Sequence, residues 1–502
     1  MPRSTSLAPL PQGGFGPPEA RHLLRRAGYA AALDDVRRAL RDGLEATVDR
    51  LLNYRDIPLD EQLALPDLDA DVIRPRTQEE RTERRRAYQS RDPEAIAKVQ
   101  RQDQQNRQAD RRMHRDLQTW WGGRILATPR PLEEKLTLLW HGHFASRWND
   151  VRDAYLMAQQ HALLRREADG SFADLARAIV RDPAMLKFLN NDRNNRRRPN
   201  ENLARELMEL FTLGEGQYAE ADIREGARAL TGYFPRDNGF QFRQNAHDGG
   251  DKTILGVTGE IDGDDFVEIL LRRKACSRFV ALKLYRAFVA DVPEYVQQLD
   301  SPTTRVVSAL GGHLRSGKYR LKPTLKTLFM SRAFYDPAVM ANKIKDPAEV
   351  VASVAHPLGL PDRGPRGVVD AMSEMGMELF NPPTVAGWEG GRAWINTTTL
   401  FVRQNTAAWL ITGMRPNRPR FRSNQVKHDP SRLLADLDEP SHQEIVDRFC
   451  AVLVAPQLSD DRKAPLLALL ADRAGGSQRT PSRDDLIALL TLITAMPEHQ
   501  LC

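Results

Sequence analysis

Apolar residues recur along most of the chain at the three- and four-residue spacing that puts them on one face of a helix. Leu23, Leu24 and Ala27 form one stripe and Val36, Ala39 and Leu40 the next; Gly43 stops that second helix before the period resumes from Leu44 to Leu52. Pro131 suits the first turn of a helix in which Leu132, Leu136, Leu139 and Trp140 face inward. Further helices are expected at Val151 to Arg166, Ser171 to Val180, Glu201 to Leu213 and Asp222 to Thr231, the third capped by Asn200 and stopped by Gly214. Between Tyr233 and Asp262 the period changes. Phe240-Gln241-Phe242 alternates and Thr253 to Thr258 reads as a strand, so a small β-hairpin insert is expected there. Helical spacing returns from Asp264 to Ala290 and continues, with loops, through Ile445 to Val454, Ala464 to Ala471 and Asp484 to Ala495. The expected fold is mainly α: a multi-helical body with a small β-hairpin insert and a C-terminal helical subdomain.

Breaks in these patterns divide the chain. Residues 1–16, rich in Pro, Gly and Ser, read as a flexible arm; 17–414 as the main helical domain; 415–430 as a basic linker; and 431–502 as the C-terminal helical subdomain. Within the main domain, large apolar residues are scarce from Thr77 until Leu117, Trp120 and Trp121. Residues 77–116 are therefore expected to form a charged, exposed helical arm, broken at Asp92-Pro93 and burying little.

Composition narrows the class. With 502 residues, 41% of them apolar, the chain can build a sizeable core. Cys276, Cys450 and Cys502 are too few and too scattered for a disulfide framework or a cysteine zinc site, which fits a reducing compartment. No apolar run approaches the roughly 20 residues of a membrane-spanning helix, and the N-terminus lacks the apolar segment of an export signal, so a cytoplasmic location is expected. The net charge of +6 is concentrated: Arg74 to Asp116 holds 13 basic and 8 acidic residues, and Ile411 to Lys427 five basic residues and no acid. Such patches attract polyanions, but no recognition-helix or aromatic-interleaved basic motif accompanies them, which places nucleic-acid binding last among the readings.

Four stretches carry candidate chemistry. In Trp140-His141-Gly142-His143-Phe144, the two imidazoles would point about 200° apart on a continuous helix and converge only if the helix ends at Gly142. His141 and His143 are then metal ligands or a proton-transfer pair; otherwise they are histidines favoured by the C-terminal dipole. On the Glu201 to Leu213 helix, Asn202, Glu206 and Glu209 line one border of the apolar stripe, as catalytic or binding groups or as members of i,i+4 surface pairs. His247 and Asp248, beside two glycines, either approach an ion or form a polar turn. The stretch from Asn381 to Asn396, with Trp388 and Trp394, is stiff and aromatic and either lines a pocket or wedges between helices. No phosphate-binding glycine loop, nucleophile elbow, HExxH or EF-hand spacing is present.

The blocks HLLRRAGY, LLWHGHF, NENLARELMELFTLGEG with YAEADIREGARALTGY, HDGGDKTILG, FNPPTVAGWEGGRAWINTTTLFVRQN and MPEHQLC, in that order, resemble the bacterial domain-of-unknown-function 1800 family. The resemblance implies a mostly helical protein of about this size. It also implies a genomic neighbour of the sulfatase-like or alkaline-phosphatase-like family (domain of unknown function 1501), relatives that are often exported, and an acid where Asn190 stands. Two functions are expected. The first is a metal-assisted hydrolase of unknown substrate, with Glu206 and Glu209 catalytic and a divalent ion such as zinc held by His141, His143, His247 and Asp248. The second is a non-enzymatic binding or assembly partner of the sulfatase-like protein, with the arm and the Trp388, Trp394 and Asn396 loop as contact surfaces.

Overall fold

A computed structural model describes residues 5–74, 76–236, 238–360, 364–414, 428–477 and 479–502. Among them helix dominates, and the strands form two small antiparallel hairpins, Tyr233–Arg236 with Gly239–Phe242 and Lys252–Ile254 with Val257–Gly259. The single strand expected from Thr253 to Thr258 is instead a hairpin. Leu255 and Gly256 both adopt positive φ (49° and 81°), the geometry of a two-residue turn.

The apolar stripes meet in two large cores. One joins Leu23, Val48, Leu136, Trp140, Phe172, Leu207, Phe266, Val280 and Phe288; the other joins Trp121, Ile125, Leu138, Val351, Met372, Leu410, Phe449 and Leu490. The helices His442–Leu453, Asp460–Ala474 and Arg483–Ala495 share the second core with Pro347–Leu358 and Thr397–Thr412, so the C-terminal helices have no core of their own. The Pro131–His143 helix faces both cores, through Leu136 and Trp140 on one side and Leu138 on the other. Its first turn is braced by fully buried Glu134, which accepts from Arg124 (2.7 Å), Arg165 (2.8 Å) and the Trp121 indole (3.0 Å).

Before the first core, Leu10 N–H donates to Met330 O, tying part of the 1–16 segment to the body. The charged arm is two helices, Gln78–Ser90 and Pro93–Ala127, reversed at Arg91 and Asp92. Only Ala87 of the first is buried, and the second is buried from Asp110 onward. Ion pairs from Asp103 to Arg76 and Arg84 hold the two helices together. Most of the expected basic linker, residues 415–427, lies outside the described residues.

Candidate functional site

The LLWHGHF block and the tryptophan loop meet. The Pro131–His143 helix does not end at Gly142 but continues one residue further, so His141 and His143 point into different surroundings. His141 is 1% exposed and sits among Trp121, Phe380 and Trp388. Its Nε2 accepts the backbone N–H of Phe380 (3.2 Å), and Phe380 has φ +64°, a strained conformation for a bulky residue. His141 therefore holds the start of the tryptophan loop. Burial lowers its pKa to about 3, keeping it neutral and able to accept.

One residue on, the contact is backbone against backbone. Gly387 has φ +83°, and a Cβ there would lie 2.0 Å from Gly142 O, while a Cβ on Gly142 would meet the Trp388 ring at 3.4 Å. Gly387 is required for the loop to lie on the helix, whereas a Cβ at Gly142 would stand in ordinary contact with the ring. Resting there, the loop closes a cavity of about 180 Å³ on the seam between the two cores. Leu138, Leu139, Phe288, Met377, Trp388 and Trp394 supply its apolar wall.

Its polar wall holds two groups of charges. Lys283 and Arg286, on the Lys274–Phe288 helix, share Glu294 Oε1 (3.1 and 2.8 Å), and Arg286 also donates to Glu389 O (2.9 Å). Burial lowers the pKa of Lys283 against the opposing pull of Glu294. In the second group, Lys135 donates to Glu349 (2.7 Å) and to the carbonyls of Arg25 and Arg26, while Lys343 lies 3.7 Å from Glu349. Asp346 caps the Pro347–Leu358 helix, and Asp291 accepts the Ile344 N–H through Oδ2. Burial alone would raise Glu349, but Lys135 and Lys343 pull it well below the ordinary carboxylate range. Asp346 is pushed up by burial and by the Glu349 charge.

His143 also lines the cavity, 5% exposed, and donates from Nε2 to Phe211 O (3.0 Å). That bond fixes the neutral tautomer and leaves Nδ1 a bare acceptor, buried with no hydrogen-bond partner. Burial and, after it, the Lys283 charge lower its pKa to about 3. The Trp388 indole N–H is likewise buried without a partner.

The remaining sequence candidates lie elsewhere. The expected Glu201 to Leu213 helix is α-helical only over Asn202–Glu206 and continues as a π-helical turn over Leu207–Thr212. His143 reaches Phe211 in that turn, so this block does touch the site, through a backbone carbonyl and not through its carboxylates. Asn202 is exposed, and its N–H donates to Asn200 Oδ1. Glu209 accepts from the Tyr218 hydroxyl at 2.6 Å. Glu206 is pushed up to about 6 by burial and by Glu209. His247 Nδ1 bonds Thr231 O (2.8 Å) and Asp248 pairs with Arg228 (2.7 Å), which fastens the β insert to the body. Asn396 caps the Thr397–Thr412 helix by accepting Thr399 N–H.

Among the described residues no three His, Cys, Asp or Glu side chains are placed to hold an ion, and His141, His143, His247 and Asp248 each have separate partners. His141 and His143 diverge because the histidine helix runs on through His143. Sequence reading missed Lys135, Lys283, Asp291, Glu294, Lys343, Asp346 and Glu349. A signal existed for two of them: Lys135 falls in the stripe of Leu132, Leu136 and Leu139, and Lys283 in that of Cys276, Val280 and Ala287. A charge on an apolar stripe is rare unless it is paired.

The family model described as "Protein of unknown function (DUF1800)" matches residues 22–501, so the chain belongs to that family. No curated protein and no solved structure matches it.

Proposed function

We propose that this member of the family binds a small polar organic molecule in the seam cavity, and that the cavity is its functional site. The observation that carries the reading is the convergence in one cavity of an apolar wall, with Leu138, Leu139, Met377, Trp388 and Trp394, and a charged one, with Lys283, Arg286, Asp291 and Glu294. Ligand pockets combine such walls and gather at such seams. If the bound molecule is hydrolysed, the proton-transfer groups at hand are Asp346 and Lys283, whose protonation burial and neighbours shift. The dispersal of the histidines gives no support to a metal-assisted form of that chemistry. A thermal-shift screen with sugars, amino acids, hydroxy acids and nucleosides tests the proposal. At least one class is expected to raise the melting temperature of the wild type by a few degrees, and to do so far less for Trp388→Ala and Lys283→Gln. No shift from any class, or equal shifts in all three proteins, would overturn it.

A second reading, assembly with a sulfatase-like protein of the domain-of-unknown-function 1501 family, draws on a different surface. Arg76, Arg81, Arg84, Arg85 and 45%-exposed Tyr88 line a concave face of the arm. Binding of the purified sulfatase-like protein, measured by calorimetry and abolished by deleting residues 78–106, is the expected result. Binding unaffected by the deletion would remove the arm from this role.

A further inference from the structure

A third basic run lies outside the two regions that concentrate the net charge. Arg193, Arg196, Arg197 and Arg198 are all exposed, and among the described residues none of them is in an ion pair. The turn that carries them is fixed from below. Buried Asn194 donates to Asn191 Oδ1 and Ala227 O (both 3.0 Å) and accepts the Asn200 N–H (2.9 Å), while the main chain forms a bridge between Asn195 and Arg198. Three consecutive guanidinium groups held in such a turn repel one another and receive no partner from the fold. The turn is also fastened to the β insert, through Arg196 N–H to Ala246 O (2.8 Å). Just before that carbonyl, Phe242, Arg243, Gln244 and Asn245 are exposed in succession. Arg243 lies over Phe234, 4.3 Å from its ring centre, and Phe242, 39% exposed, is held by Tyr233 and His247 at 5.5 and 5.2 Å between ring centres. Of the acids in residues 190–201 and 239–251, Glu201 is bound, with Glu220, to Arg205, and Asp248, with Glu225, to Arg228. Asp192 and Asp251 remain, against five arginines. What the surface offers is exposed guanidinium donors without partners beside an exposed ring.

We infer that this surface binds single-stranded nucleic acid, a function separate from that of the seam cavity. Guanidinium groups match the paired oxygens of a phosphate, and the Phe242 ring gives an unpaired base a face to stack on. The Gln244 and Asn245 amides stand beside that ring and can donate to and accept from base edges. A duplex hides the faces of its bases and can use the arginines but not the ring. An acidic peptide likewise occupies the arginines alone, and an anionic bilayer takes the ring and the arginines but leaves the amides unmatched. A single strand uses all three kinds of group.

Fluorescence anisotropy of the full chain with labelled oligouridylate and oligothymidylate of about twelve nucleotides tests this. At least one of the two is expected to bind, the tighter naming the sugar, and a duplex of the same length to bind about tenfold or more weaker. Arg196→Gln, Arg197→Gln and Arg198→Gln together should lower the affinity about tenfold or more. They should also flatten the slope of log affinity against log salt by about 2, since each phosphate contact on a single strand contributes about 0.7. Phe242→Ala should weaken binding about tenfold at an unchanged slope, and Phe242→Trp should restore it. All of these side chains are exposed, and an unchanged melting temperature shows that each variant is folded. Deletion of residues 78–106 should leave binding intact. Binding of neither strand, equal binding of the duplex, wild-type binding by the triple arginine variant, or loss of binding with the arm overturns the inference. So does binding of poly-L-glutamate or of phosphatidylserine vesicles in place of the strands.

Discussion

At the scale of single residues, His141 and His143 show how two identical side chains acquire unlike roles. Two positions apart on a helix, they are turned into different cores: one accepts the N–H of Phe380 and the other donates to Phe211 O. The sequence makes HGH visible as unusual, but whether the imidazoles converge depends on where the helix stops, and tertiary packing decides that. Gly142 and Gly387 make the same point from the opposite direction, because neither is legible as half of a contact until the fold is known. Alanine at Gly387 must take an unfavourable φ, at about 1–2 kcal/mol, and also displace the Gly142 carbonyl, so Gly387→Ala is expected to lose more than about 2 kcal/mol in denaturant unfolding. Alanine at Gly142 meets only a ring edge at ordinary contact distance and gains helix propensity, and is expected within about 1 kcal/mol of wild type. Equal effects of the two changes would contradict the close approach.

At the scale of elements, apolar periodicity carried far. It located the helices around Leu23, Leu136 and Leu486, the break at Asp92-Pro93 and the region of the hairpins, because local spacing decides those. It did not reveal the π-helical turn at Leu207–Thr212, because Leu203, Leu207, Leu210 and Phe211 keep the spacing of an ordinary helical stripe. Nor did it reveal the polar wall. Asp346 and Glu349 form a capping box, and their second task depends on lysines distant in sequence. The arm is the element whose behaviour follows most directly from composition. With one buried residue in its first helix, it is expected to exchange its amide hydrogens quickly over residues 78–106 and to be cut there first by trypsin, leaving the two cores intact. Slow exchange across those residues would show that something covers them.

At the scale of the whole molecule, burial couples stability to pH. His22, His114, His141, His143, His161, His356 and His499 are all held below their ordinary pKa, burial being the largest cause in each. The unfolded chain therefore binds more protons than the folded one. The stabilisation is complete above about pH 6.5, and each histidine loses about 1.4 kcal/mol per unit as the pH falls from there toward its folded value. The melting temperature is expected to drop between about pH 6.5 and pH 5, above the range where most carboxylates titrate; a flat profile to pH 5 would mean that these rings charge without cost.

Closure of one ligand site on the seam by helix 131–143 and loop 381–396 is measurable by hydrogen exchange with the ligand that the screen identifies. Slower exchange is expected at residues 284–291 and 381–396 together, with residues 78–106 and 201–215 unchanged. Protection confined to the arm or to residues 201–215 would contradict it.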